Sequence, residues 1–103
     1  MERGLARDTF NDYYNELARV GIDSEGKIRR RNRMRSIEER FADDENVTAI
    51  LEAIREYPEK ISLIDKNAEI LNETEDVEEF KSAYNDMLRL IYGKDVQPMF
   101  PEP

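Results

Sequence analysis

Along residues 47–71 the apolar side chains recur at Val47, Ile50, Ile54, Tyr57, Ile61, Ile64, Ala68 and Leu71. The steps alternate between three and four, which is the seam of a helix packed on other helices. Pro58 interrupts this run. A proline costs about 3 kcal/mol inside a helix but suits its first turn, and it pushes the preceding residue out of helical angles. The pattern therefore favours two helices meeting at Tyr57-Pro58 over one kinked helix. Past the proline, Leu63 and Ile70 add a second apolar side. A helix apolar on two sides is central to a bundle or lies at a subunit interface.

The same 3.6-residue period organises the flanks. Ala6, Phe10, Tyr13, Tyr14, Leu17 and Val20 share one face of a predicted helix over residues 5–20, ended by Gly21. The neighbouring tyrosines are read as core and rim, each ring buried and its hydroxyl wet. Residues 22–26 are read as a turn. A second helix is expected over residues 27–42 with a thin strip of Met34, Ile37 and Phe41, and Arg30 on the same side. Asp43 or Asp44 would break it and cap a helix over residues 45–57, with Glu45 in its first turn. Helices over 58–72 and 75–92 follow, the latter with Val77, Phe80, Ala83, Tyr84, Met87, Leu88, Leu90 and Ile91 on a broad face. Asn72 or Thr74 is the expected N-cap of that last helix and Gly93 its terminator. Residues 94–103, with Pro98, Pro101 and Pro103, form an extended tail that is expected to be loose. The fold class is all-α: an antiparallel bundle of four or five helices in a single domain over residues 1–93.

Composition sharpens the picture. Charged residues make up 39% of the chain and hydrophobic ones 39%, which suits helices with one apolar stripe and a wide charged face. There is no cysteine and no histidine. That removes disulfides, thiolate ligands and the commonest general base. The N-terminus starts no apolar run and no stretch reads as a membrane span, so a soluble cytoplasmic protein is expected. The net charge of -8 conceals a split. Residues 1–42 hold ten Lys/Arg against eight Asp/Glu, a surplus of two positive charges. Residues 43–103 hold six against sixteen, a surplus of ten negative ones.

The basic cluster Lys27, Arg29, Arg30, Arg31, Arg33 and Arg35 is the sharpest local feature. On a helix it would set like charges four residues apart, each pair costing a few tenths of a kcal/mol. Such a cluster wants an anion. Phosphate is one candidate and makes these six residues a nucleic-acid site. Against it, a helix would divide the basic residues between two sides of the apolar strip, and the acidic remainder of the chain would repel a nucleic-acid backbone. Protein carboxylate is the other candidate. Arginine binds carboxylates with two bonds and covers apolar surface with its stem. A solvated face with no partner is the plainest alternative.

Carboxylates carry the only enzymatic reading. Glu38, Glu39, Asp43, Glu73, Asp76 and Glu79 could hold Mg2+ from two helices, as in an all-α nucleotide hydrolase. Such sites use Glu-Glu-x-x-Glu, and Ala42 stands where the third acid is needed. No phosphate loop and no nucleophile with an adjacent base is present. The chain is accordingly expected to be a small non-enzymatic regulatory or adaptor protein without a cofactor. It would bind another protein, or itself as a homodimer, through Arg29, Arg31, Arg33, Arg35, Leu63 and Ile70. Nucleic-acid binding through the basic segment is the second reading.

Overall fold

The computed structural model describes residues 13, 15–42 and 47–102, with the backbone alone at Phe41, Val47, Ala49, Ile50 and Ala53. The first helix, α1, is described at Tyr13 and at residues 15–17. Then come β1 (Val20–Ile22), β2 (Ile28–Arg30), α2 (Ile37–Phe41), α3 (Val47–Glu56), α4 (Pro58–Glu73) and α5 (Val77–Tyr92). The chain is predominantly helical, but a two-stranded antiparallel sheet takes the place of the expected bundle helix.

Residues 27–42 are not one helix. Val20 pairs with Arg30, Gly21 with Arg29 and Ile22 with Ile28. Asp23 closes the hairpin: its Oδ1 accepts from the backbone N–H of Glu25 at 2.8 Å and of Lys27 at 2.9 Å. Gly26 takes a φ of 81°, which only glycine adopts cheaply, and its N–H reaches the Asp23 carbonyl at 3.0 Å. β-Branched Val20, Ile22 and Ile28 suit strands. The helix expected over residues 5–20 likewise stops after Leu17, and Gly21 lies within β1 instead of capping it. α2 begins only at a capping box, in which Ser36 Oγ accepts from the Glu39 N–H and Glu39 Oε1 accepts from the Ser36 N–H.

The chain breaks at Pro58. Tyr57 sits at φ -136°, ψ 56°, and the proline opens α4. Ile61, Ile64, Ala68 and Leu71 are the buried residues of α4, as the heptad seam requires. Leu63 remains 46% exposed, whereas Ile70 packs partly on the core. α5 lies against α4 and buries Phe80, Ala83, Tyr84, Met87 and Leu88. Its N-cap is Asp76, whose Oδ1 accepts from the Glu78 and Glu79 N–H groups, not Asn72 or Thr74. Gly93 ends it at φ 112°. Tyr13, Leu17, Val20, Met34 and Ile37 complete one core. The expected core positions Ala6, Phe10 and Tyr14, and the capping role of Asp43, Asp44 or Glu45, lie outside the described residues.

Two asparagines tie non-helical chain to this helix pair. On α4, Asn72 accepts from the Met34 N–H at 2.7 Å and donates to the Met34 carbonyl at 2.9 Å. On α5, Asn85 accepts from the Phe100 N–H at 3.1 Å and donates to the Phe100 carbonyl at 2.8 Å. The tail, expected to be extended and loose, instead opens on a turn at residues 93–96, bends at Met99 and Phe100, and is docked.

Candidate functional site

The strand period of two decides where Arg29, Arg30 and Arg31 go. Paired residues share a face, so Val20, Ile22, Ile28 and Arg30 turn to the core while Gly21 and Arg29 turn outward. The Arg31 N–H donates to the Arg19 carbonyl at 2.9 Å, which extends the ladder by one pair and adds Arg19 and Arg31 to the outer face. Arg19, Arg29 and Arg31 thus surround Gly21, above which there is open space. A cleft of about 370 Å3 runs here, lined by Arg19, Gly21, Asp23, Arg29 and Arg31 among others. A second of about 400 Å3 adjoins it, lined by Asn15, Glu16, Arg19, Asn32, Arg33 and Arg35.

Arg30 leaves this group. Its Nε donates to the Leu71 carbonyl at 2.6 Å and its Nη2 to the Thr74 carbonyl, so it caps the C-terminus of α4 from the inner side of the sheet. The guanidinium also lies 5.9 Å from the Phe80 ring centroid. Within the six-residue cluster, Arg30 is therefore structural. Leu63 and Ile70 are on α4, where Leu63 is exposed and Ile70 packs partly on the core.

Carboxylates meet several of the arginines within the chain. Arg29 Nε donates to Asp23 Oδ2 at 2.6 Å, and Arg33 forks onto both oxygens of Glu39. Arg35 donates its backbone N–H to Glu16 Oε1 at 3.1 Å and its Nε to Glu16 Oε2 at 3.3 Å. Asn32, with its carboxamide oriented to satisfy both neighbours, accepts from Arg19 Nη1 at 2.8 Å and donates to the Arg31 carbonyl. Arg31 has no carboxylate partner among the described residues, and Lys27 is exposed at the hairpin end.

The pairing has a pH signature. The hydrogen bond from Arg33, aided by that from the Ser36 N–H, lowers the Glu39 carboxyl to about 2. Asp23 is lowered too, chiefly by the Lys27 N–H and then by Arg29. Both folded values lie below the unfolded ones, about 3.9 for Asp and 4.3 for Glu. Their contribution is therefore complete above about pH 5 and is lost as the pH falls through the folded values. Carboxyl NMR titration should place the Glu39 midpoint near 2, and Arg33→Ala should return it toward about 4.3. A wild-type midpoint above 4 would remove the Arg33–Glu39 fork from the description.

Behind the basic face lies a buried polar chain that the sequence did not disclose. Arg40 is 1% exposed, bonds Glu16 through Nη2 and stacks 3.7 Å from the Tyr13 ring centroid. The Tyr13 hydroxyl donates to Asp65 Oδ1 at 3.1 Å, and the same oxygen accepts from the Ile37 N–H at 2.8 Å. Burial pushes the Tyr13 phenol well above its ordinary value, and the nearby Arg40 charge only partly offsets it. The group stays neutral and works as a donor. This network joins α1, α2 and α4 beneath the clefts.

Three carboxylates of the enzymatic reading have other roles. Glu39 closes the α2 capping box, Asp76 caps α5, and Glu79 accepts from the Thr74 hydroxyl. Among the described residues no three acidic side chains are grouped so as to hold a metal ion. Asp43 lies outside those residues. No helix among them is long and apolar enough to cross a membrane. No known protein family, no curated protein and no solved structure matches the chain.

Proposed function

We propose that the protein is a small non-enzymatic regulatory or adaptor protein that binds an acidic partner protein through the outer face of its hairpin. The observation that supports this is the display of Arg19, Arg29 and Arg31 around the bare Gly21 backbone, directed away from the core. The chemistry of the segment is arginine with carboxylate at Asp23, Glu39 and Glu16. A carboxylate-bearing partner extends a pattern already built there, with Arg31 and Lys27 the first to meet it. A second copy of this chain supplies such a surface in its acidic half, and the exposed Leu63 offers an apolar contact beside it.

Nucleic acid is kept as a second reading for one specific reason. The division of basic residues across a helix is gone, because Arg19, Arg29 and Arg31 share one side of a sheet. The net charge of -8 still opposes a polyphosphate backbone.

The test is affinity capture from native lysate, with and without nuclease, using wild type and an Arg19→Ala, Arg29→Ala, Arg31→Ala variant. A protein captured by wild type, retained after nuclease and lost with the variant is the expected result. Retardation of nucleic-acid probes that weakens steeply with salt would favour the second reading. Equal capture by both proteins would remove the hairpin face from the site. Light scattering at micromolar concentration separates self-association, since Leu63→Glu should return any dimer to a monomer of about 12 kDa.

A further inference from the structure

We propose that the groove on α5 holding the C-terminal tail is a peptide-binding groove blocked in cis, and that its partner is a peptide segment bearing an aromatic residue followed two positions later by an acid. The inference concerns a different surface from the hairpin face and does not rest on it. The tail shows what the groove selects.

Three features read three properties of the bound segment. Asn85 is 1% exposed, and its carboxamide satisfies both the N–H and the C=O of Phe100, as a neighbouring strand would. That contact engages the backbone of a single residue and requires no particular side chain there. The Tyr84 ring meets the Phe100 ring edge-on, with centroids 5.2 Å apart and planes at 81°, which selects an aromatic. Arg89 pairs with Glu102 and is itself steadied by Asp86 at 2.8 Å, which selects an acid two residues on. The Glu102 carboxyl is lowered by this Arg89 bond.

A buried asparagine is a costly residue to place on an apolar helix face unless its carboxamide is met. Here it is met only by the tail among the described residues, so the groove is built around a bound segment. The tail is also weakly tethered. Between Gly93 and Phe100 only Val96 is even partly covered, while Met99 is 57% exposed. Val96 and Phe100 pack partly on the core, and one asparagine clamp, one aromatic edge and one exposed ion pair add to that, few enough contacts for local opening. A competing segment of the same chemistry meets the same three groups.

The experiment titrates a fluorescein-labelled peptide spanning residues 96–102 onto the full chain. Apparent affinity scales with the fraction of grooves left open. Phe100→Ala in the chain should therefore tighten peptide binding by about tenfold or more over wild type. Adding Asn85→Leu to that variant should abolish it, and a peptide with Glu102→Lys should bind more weakly. If Phe100→Ala does not fold, Glu102→Lys in the chain removes only the exposed ion pair, and tighter binding is again expected. Peptide affinity unchanged by whichever release variant folds would overturn the proposal. So would a wild-type dimer that Phe100→Ala converts to monomer, because the groove would then belong to a second copy's tail.

Discussion

Replacing Phe80 with alanine should lower the unfolding free energy by about 3–5 kcal/mol, the largest effect expected of any single substitution here. Phe80 has no exposed surface and stands in the first turns of α5, where α5 meets α4 and the hairpin. Its ring lies 6.1 Å from that of Tyr84 and 5.9 Å from the Arg30 guanidinium, so truncation leaves a cavity between α5 and the hairpin. Domains of this size are stable by about 5–15 kcal/mol, so the variant should approach the limit of folding. Urea denaturation measures it: the midpoint should fall sharply with the slope unchanged. Leu63→Ala, at a half-exposed site, is the control and should stay within about 1 kcal/mol of wild type. A loss below about 1 kcal/mol for Phe80→Ala would mean that α5 does not pack as described.

The second large effect is an asymmetry. Glu16→Ala should cost about 3 kcal/mol, whereas Arg40→Met should cost clearly less. Glu16 accepts from the Arg35 N–H, from Arg35 Nε and from Arg40 Nη2, so its removal strips three donors of one acceptor. One of those donors belongs to a guanidinium that is almost fully buried, where losing a counter-charge is most costly. In the converse variant, methionine keeps an apolar stem over the Tyr13 ring, and Glu16 keeps Arg35. Thermal unfolding of the two variants at neutral pH reads the difference. Equal losses, or a greater loss for Arg40→Met, would show that the buried pair does not carry the contact between α1 and α2.

Much of the helical part was legible. The heptad seam named Ile61, Ile64, Ala68 and Leu71 as a buried face, and all four are buried. The break at Pro58 followed from its ring and from the angles it denies to Tyr57. Two further signals were present and outweighed. Val20, Ile22 and Ile28 flank an Asp-x-x-Gly turn, a hairpin signature of β-branched alternation with glycine where φ is positive. Ser36-x-x-Glu39 is a capping box that fixes the true start of α2. A thin helical stripe through Met34, Ile37 and Phe41 masked both, because three apolar residues suit either period once the flanks are charged.

The destinations of the polar side chains could not be read in advance. Asn85 and Arg40 flank their apolar stripes, Asn72 reads as a cap and Arg30 falls beside an apolar strip, and in none of the four does helix period or charge pattern name the partner. Their partners lie 38, 15, 41 and 24 residues away in the chain. Local sequence carries no record of contacts at that separation.

By itself the sequence determined the α4–α5 pair, its buried stripe, the break at Pro58 and the excess of arginine in the first half over an acidic second half. These follow from periodicity, ring geometry and composition, which act between neighbours in the chain. Only the tertiary structure decided that the basic segment is a strand and an extended arm, so that Arg30 turns inward to cap α4 while Arg19, Arg29 and Arg31 share an outer face. Only it decided that the tail is clamped by Asn85. The reason is the same in each case: a backbone or guanidinium donor leaves water only when folding brings an acceptor to it, and the acceptor comes from a distant part of the chain.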